Sequence, residues 1–418
     1  MHVNSQQNST ELANRRKTIL LIIPSLIKGG AEKVLLDQYA FFAKQANTLG
    51  CVFNWDFVTD EKLKASFISL DVPAGKNFLQ KIYYFFLRIK RLRKLKKHHR
   101  VDISISHLEG ADYVNILSRQ RGERIVCWIH GSKQHDQNIS GVIGWIRKII
   151  LMPWLYNRRK NTIITVSEGI RTELLSFFRL NPRRIRTIYN GFDLQEINRK
   201  SIETPPFSLQ ALAPGKALLF THCRLARQKN LSALLHIVSR VKHTLPVSVF
   251  IVGDGELREQ LYRIGEGLGL RQYAAWKDSV PYPGCDVYFL GHHDNPFPLL
   301  KQATLFLMTS SWEGFPLALC EAMACGIPVI AADCYTGPRE IIAPTLNESQ
   351  PLKEPLESPA GMLMPLAEEH NFDRWETAII QLLMNENLRT KISTVGMKRI
   401  EDFDKKNVVK EWLTLLHE

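Results

Sequence analysis

The sequence predicts an α/β protein built from two doubly wound domains, and three observations carry that expectation. Short apolar runs alternate with helical patterns along all 418 residues. Several of those runs end in glycine or a small polar residue just before a helix begins, which is the pattern of parallel βαβ units. The runs also fall into two sets, and a chain of this length exceeds one ordinary core and favours domains of roughly 150–200 residues.

In the first half the candidate strands are TILLIIPS, VDISIS, RIVCWIH and NTIITVS; in the second they are ALLFTH, VSVFIVG, VYFLG, TLFLMTS and IPVIAA. Each is a short continuous apolar run, as strands covered by helices on both faces are. The polar stretch YNGFDLQEINRKSIETPPFSLQALAPGK between the sets is rich in Pro and Gly, which places a linker near 193–215. The expected organisation is a disordered polar tail over 1–16, a first domain over 17–192, that linker, and a second domain over 216–400. A C-terminal helix over 401–418 is expected to cross back to the first domain. Arg15, Arg16 and Lys17 before an apolar run imitate a secretory signal, but Pro24 breaks the run and Gly29-Gly30 follow it, so it reads as a buried first strand. No run reaches the roughly 18–20 apolar residues of a membrane span.

Composition excludes wholesale disorder, with 45% hydrophobic and 23% charged residues. A formal net charge of +14 suits a partner bearing phosphates, whether nucleic acid, anionic membrane or nucleotide. Seven cysteines without paired spacing fit neither a disulfide framework nor a metal site, and point to a reducing cytoplasm.

Two segments of the first half join aromatics to cations. KNFLQKIYYFFLRIKRLRKLKKHHR, from Lys76 to Arg100, sets Tyr83, Tyr84, Phe85 and Phe86 beside a dense basic run, and WIRKIILMPWLYNRRK, from Trp145 to Lys160, repeats the combination. Such a helix lies on an anionic bilayer, or it packs its aromatic side on a sheet with its cations in water; one helix does both at different positions.

The stretch SSWEGFPLALCEAMACGIPVI places Glu313 and Glu321 in an otherwise buried pattern. Pro316 suits a first helical turn, Gly326 an end, and Pro328 forbids continuation, so a helix is expected from about Pro316 to Cys325. Glu313 and Gly314 then precede a helix start whose free amides favour oxygen-rich ligands, with Glu321 deeper. A buried carboxylate needs donors, and vicinal sugar hydroxyls supply two; paired structural glutamates are the alternative.

Glu313-Gly-Phe-Pro-Leu-Ala-Leu-Cys-Glu321-Ala-Met-Ala resembles the E-x7-E motif of retaining glycosyltransferases of family 4. The resemblance extends from about Lys17 to the end through GGAEK, HG, VSEGI, YNGFD, RLARQKN, GDGELRE, FLG and TGPREI in family order. It implies two Rossmann-like domains facing across a cleft, the GT-B fold, with a nucleotide-sugar donor as substrate and no permanently bound cofactor. By matched position Glu321 would hold ribose hydroxyls, and Glu313 would face the donor sugar with the Gly314 and Phe315 amides, beside Pro316 and Leu317. Arg224 and Lys229 would clamp the diphosphate, stabilising charge on the departing nucleotide. Gly29 and Gly30 would let backbone approach the phosphates, His130 would touch the donor hexose, and Gly253, Gly255 and Leu290 would line the base. Thr221-His222-Cys223 departs from the family's small residue and Gly before the Arg.

The chain is read as holding no D-x-D pair anywhere, so no metal is expected and the cations take its place. Gly337 and Glu340 in TGPREI resemble a variant of hexosamine and galactose transferases of bacterial surface polysaccharides, a lean toward a UDP-sugar. The resulting expectation is a retaining, metal-independent hexosyltransferase acting by front-face transfer to a glycan or lipid-linked glycan, held peripherally at the inner face of the cytoplasmic membrane. Nucleic acid is not an expected partner. The alternatives are a UDP-sugar epimerase of the same fold, or a basic nucleic-acid-binding protein without catalysis.

Overall fold

The computed structural model describes residues 16–417 except 27–28, 57, 59–60, 135–140, 159–160 and 347–349. The tail expected over 1–16 therefore lies outside the described residues except for Arg16, as do Arg159 and Lys160 of the second basic segment. The chain divides into two compact units. The first holds residues up to 130, 138–165 and 173–187; the second holds 131–137, 166–172 and 188–418.

The first unit is a seven-stranded, all-parallel sheet of β1 (Thr18–Ile23), β2 (Asn47–Val52), β3 (Phe67–Ser69), β4 (Ile103–His107), β5 (Arg124–Ile129), β6 (Asn161–Thr165) and β7 (Ile185–Thr187). Its order, β3-β2-β1-β4-β5-β6-β7, reverses direction at β1/β4. All six residues of β1 are buried, which is why its sequence reads as a run and not as an alternation. On one face Leu20, Ile22, Cys51 and Val101 pack with Ile89 and Leu92 of the helix Phe78–His98. Each such aliphatic side chain contributes about 1.5–3 kcal/mol on burial.

The second unit is an eight-stranded sheet of β8 (Ala217–His222), β9 (Val247–Val252), β10 (Gln272–Ala274), β11 (Val287–Gly291), β12 (Leu305–Met308), β13 (Val329–Ala332), β14 (Leu356–Ser358) and β15 (Gly361–Met364). The order is β10-β11-β9-β8-β12-β13-β15-β14, parallel except for the β14/β15 pair. Direction reverses at β8/β12. Leu219, Val249, Ile251, Phe289, Leu305 and Trp375 belong to its core.

Two expectations need revision. Residues 193–215 are not a plain linker, because they carry the helices Leu194–Ser201 and Leu209–Leu212 within the second unit. Asp193 and Ser208 cap them by accepting from the Glu196 and Ala211 amides, and Ile197, Leu209 and Leu212 are buried. The C-terminal helix Lys405–His417, expected to cross back to the first domain, groups with the second unit. There the Phe192 and Lys405 amides exchange hydrogen bonds with the Phe403 and Phe192 carbonyls at 2.9 and 2.8 Å.

The basic helix Phe78–His98 packs part of its aromatic side on the core and leaves the rest exposed. Tyr84, Phe85, Leu87 and Leu95 pack against the core, whereas Phe78, Leu79, Ile82, Tyr83 and Phe86 are exposed. Its arginines are less free than a basic run suggests: Arg88 donates to the Pro73 carbonyl, Arg91 to those of Leu70 and Asp71, and Arg93 to that of Leu117. Lys96 is wholly buried against Glu123 at 2.7 Å, and burial lowers its pKa to about 8. Lys81, Lys90, Lys94 and Lys97 are exposed. The second segment forms helix, π-helix and helix over Gly141–Ile146, Arg147–Leu151 and Met152–Tyr156. It exposes Trp145, Ile146, Ile149, Ile150 and Trp154. Among the described residues no helix is long and apolar enough to cross a membrane.

Candidate active site

Ligands of open parallel sheets bind beyond the carboxyl ends of the strands where the order reverses. In the second unit that point lies between β8 and β12, and both strands lead into the predicted motifs. β8 ends on His222, and after it come Cys223 and Arg224, a 3₁₀ turn at Arg227–Lys229, and Asn230 in the left-handed region at φ 49° before the helix Leu231–Val241. After β12 the chain runs through Glu313 and Gly314 into the helix Leu317–Ala324, one residue inside the expected bounds at each end because Pro316 and Cys325 serve as caps.

The two loops are sewn together. Gln228 donates to the Trp312 carbonyl at 2.6 Å, and the Ser311 amide donates to the Gln228 carbonyl at 2.9 Å. Thr309 Oγ1 bonds the carbonyls of Lys229 and Asn230, both at 3.1 Å. Lys229 Nζ thereby reaches Glu313 Oε1 at 2.7 Å. Burial pulls the Lys229 pKa down, but the Glu313 charge and hydrogen bond outweigh it, so the ammonium titrates above its usual value. Both charges are held largely out of water, where truncating either partner leaves the other uncompensated.

Glu321, on the inward face of the short helix, meets His222 Nε2 at 2.7 Å. The His222 ring packs edge-on to Phe220 and Phe306, and its Nδ1 is buried without a hydrogen-bond partner. His222 is the residue that sequence reasoning passed over. Its signal was the departure Thr221-His222-Cys223 itself, a polar ring where the family pattern is small. Lys229, Glu313, His222, Pro316 and Leu317 line one cavity of about 30 Å³, the space of one water.

The amides of Gly314, Phe315, Leu317 and Ala318 have no acceptor among the described residues and stand at the positive end of the helix dipole. The Phe315 ring turns away into an aromatic cluster with Tyr189, Phe192 and Phe403, so only its backbone faces a ligand. Cys223 is no nucleophile at neutral pH, since burial pushes its thiol up to about 11.

Arg224 shares the β8 loop but is exposed and pairs with Glu256 at 3.0 Å, apart from the buried Lys229. Gly253 and Gly255 sit beneath that loop. A Cβ on Gly253, which is at φ 137°, would lie 1.9 Å from the Cys223 carbonyl oxygen, and one on Gly255 would lie 2.5 Å from that of Leu225. These glycines shape the loop by close backbone approach. Leu290 is a buried residue of β11. The sequence does hold one D-x-D pair, Asp402-Phe403-Asp404. Asp402 pairs with Arg399, and Asp404 Oδ1 accepts from the Lys406 amide, so neither belongs to these loops.

In the first unit, Gly29 is extended and caps the helix Gly30–Gln45 that follows β1. His130 follows β5, and its Nε2 lies 2.7 Å from Nδ1 of His107 at the end of β4. His107 Nε2 in turn meets Gln38 Oε1 at 3.1 Å. Burial and His130 hold the His107 pKa well below the usual value, so it stays neutral at pH 7. Its signal in the sequence was that SISH and CWIH both end on histidine. Leu108 after it has φ 71°, a strained value for a non-glycine, of the kind that clusters at functional sites.

Glu340 of TGPREI accepts from the Glu168 and Gly169 amides at 2.8 and 2.7 Å and from the Tyr189 hydroxyl at 3.0 Å. Burial raises its pKa, and these donors hold it down only in part. It holds VSEGI in place within the second unit.

Two doubly wound parallel sheets, each with polar side chains at its reversal point, define an α/β protein of the GT-B glycosyltransferase class. Comparison with known proteins agrees: residues 216–385 match the glycosyl transferases group 1 family and residues 28–196 match Glycosyltransferase Family 4. The chain belongs to these glycosyltransferases. It is 22% identical to the N-acetylgalactosamine-N,N'-diacetylbacillosaminyl-diphospho-undecaprenol 4-alpha-N-acetylgalactosaminyltransferase of Campylobacter jejuni, over 95% of this chain and 98% of that one. It is 28% identical to the lipopolysaccharide 1,6-galactosyltransferase of Salmonella typhimurium, over 76% and 80%. The structure of Anabaena HepE in complex with UDP and glucose superposes with a TM-score of 0.71 at 19% identity, covering 96% of this chain and 99% of that one.

Proposed function

We propose that the protein moves a hexose or N-acetylhexosamine from a UDP-sugar to a lipid-linked glycan in surface-polysaccharide synthesis, with retention and without a metal. The observation that carries this reading is the pairing of Lys229 with Glu313 and of His222 with Glu321 at the reversal point of the second sheet. The donor parts the first pair. Lys229, with Arg224 from the same loop, then neutralises the diphosphate, while Glu313 and the Gly314 and Phe315 amides take the sugar hydroxyls. Glu321, oriented by His222, holds the ribose hydroxyls. The bond from the anomeric carbon to the leaving phosphate oxygen breaks as the acceptor oxygen attacks the same face. The acceptor proton passes to that phosphate oxygen, and UDP departs.

The relatives support this substrate class, one named for a diphospho-undecaprenol acceptor and another for lipopolysaccharide. The exposed aromatics of Phe78–Phe86 and Trp145–Trp154, flanked by exposed lysines, suit the inner face of an anionic cytoplasmic membrane, each cation near the surface adding about 1 kcal/mol. The net charge of +14 is thus assigned to phosphates of donor and membrane, and not to nucleic acid. Thermal melts with UDP, GDP and ADP, followed by a panel of UDP-sugars with a lipid-linked acceptor, test the reading. A shift with UDP above the others and an α-linked product by proton NMR are expected. Donor consumed without acceptor would instead mean an epimerase, and steeply salt-dependent DNA or RNA binding without a nucleotide shift would mean a binding protein. Cosedimentation with phosphatidylglycerol vesicles but not phosphatidylcholine vesicles tests the membrane face.

A further inference from the structure

The loop after β13 holds the backbone of the Glu313 loop. β13 ends at Ala332, and Thr336 and Gly337 come shortly before the helix Pro338–Ile342. Both residues belong to the second unit, as do Glu313 and Gly314.

Thr336 is 4% exposed, and its hydroxyl donates to the Glu313 carbonyl. Gly337 has φ 93°, a value that only glycine adopts without strain. A Cβ there would lie 2.7 Å from Cδ of Pro316 and 2.9 Å from the Gly314 carbonyl oxygen. Two successive carbonyls, those of Glu313 and Gly314, therefore face this loop. In a planar trans peptide the N–H points opposite to the C=O, so the Gly314 and Phe315 amides point away from it. These are two of the amides that have no acceptor among the described residues.

The Thr336 hydroxyl is not free to turn elsewhere. Threonine is branched at Cβ, so fixing its methyl fixes its hydroxyl. The methyl lies against Gly169, where an added Cβ would come within 2.9 Å of Thr336 Cγ2. Gly169 is itself held, because its amide and that of Glu168 donate to Glu340 at 2.7 and 2.8 Å. On the other flank Gln228 Nε2 donates to the Trp312 carbonyl at 2.6 Å. The backbone from Trp312 to Gly314 is thus pinned by two loops, one after β8 and one after β13.

We infer that Thr336 and Gly337 are positioning residues: they set the Glu313–Gly314–Phe315 backbone so that two amides are presented to hydroxyls of the transferred sugar. The inference rests on the transferase reading above and deepens it. Recognition of the sugar then depends on the loop after β13, whereas the nucleotide half is left to Glu321, His222 and Lys229.

Calorimetric titration of the full chain with UDP, and with the UDP-sugar it binds best, tests this in two variants. Thr336→Val keeps the methyl and replaces the hydroxyl; Thr336→Ser keeps the hydroxyl. Thr336→Val should bind UDP as the unsubstituted protein does, but the UDP-sugar roughly tenfold more weakly, the loss expected for one or two hydrogen bonds. The KM for that donor should rise by a similar factor, with the acceptor KM unchanged, and Thr336→Ser should recover most of both losses. In a crystal structure of Thr336→Val the Glu313–Gly314 peptide should be rotated. Equal losses for UDP and UDP-sugar, an unchanged UDP-sugar affinity, a Thr336→Ser variant no better than Thr336→Val, or an unrotated peptide overturns the inference. A protein that binds no UDP-sugar at all would instead overturn the transferase reading, and the peptide orientation in Thr336→Val would still decide the positioning role.

Discussion

The two sheets reverse strand order in the same way and use the reversal point for opposite electrostatics. In the second unit the ends of β8 and β12 hold a buried ammonium–carboxylate pair, Lys229–Glu313, and a second carboxylate, Glu321, on a histidine. In the first unit the ends of β4 and β5 hold two histidines and an amide, His107, His130 and Gln38, with His107 kept neutral by burial. The topology supplies a place; the side chains decide what charge it tolerates. Fixed charges suit a leaving diphosphate, whose negative charge grows in the transition state, whereas neutral donors and acceptors suit hydroxyls whose charge does not change.

If that division is right, removing charge from the second unit has the largest effect. Lys229→Ala should cut transfer by about 10²–10³-fold, the usual cost of losing one preorganised stabiliser of developing charge. It should also lower the melting temperature, because Glu313 is left buried and unpaired. Steady-state kinetics and a melt check both. Next comes Glu321→Ala, which should abolish the melting shift with UDP, whereas Glu313→Ala should keep the shift and lose transfer. His222→Ala should raise the KM for the donor roughly tenfold with little change in kcat, as loss of one orienting hydrogen bond of about 1–1.5 kcal/mol predicts. His222→Gln, which can still donate to Glu321, should recover most of it. A fall in kcat alone would remove His222 from donor binding.

What the sequence disclosed follows the same physics. The central strands were legible because both faces are buried, so TILLII, ALLFTH and VSVFIV read as runs. The strands it concealed are short or mixed: β3, β7, β10 and β14 have three residues each, β15 has four and opens on Gly361, and β2 starts on the polar pair Asn47-Thr48. The helices within 193–215 were hidden by Pro and Gly at their flanks, although Asp193 and Ser208 are ordinary caps. At the site, Glu313, Glu321 and Lys229 were legible because charges in a buried pattern demand a reason. His222 and His107 were not, since a single histidine after a strand looks the same whether it packs or positions a neighbour. The basic run of Phe78–His98 overstated its free charge, because sequence does not show that Arg88, Arg91 and Arg93 are spent on backbone carbonyls.

The smallest expected effect lies in the first unit and comes from pH. His107 has a folded pKa depressed by burial and by His130, so between its ordinary value near 6.5 and that lower value the unfolded chain binds a proton that the folded chain refuses. Its contribution to stability is therefore complete above pH 6.5 and is lost as pH falls through that window, by up to about 1.4 kcal/mol per pH unit. Urea unfolding at pH 7, 6 and 5 should show His107→Asn losing less stability on acidification than the unsubstituted protein, with the two slopes differing by about one proton. Equal slopes for the two proteins would mean that His107 accepts a proton in place, and the contrast between a charged and a neutral reversal point would then hold only near pH 7.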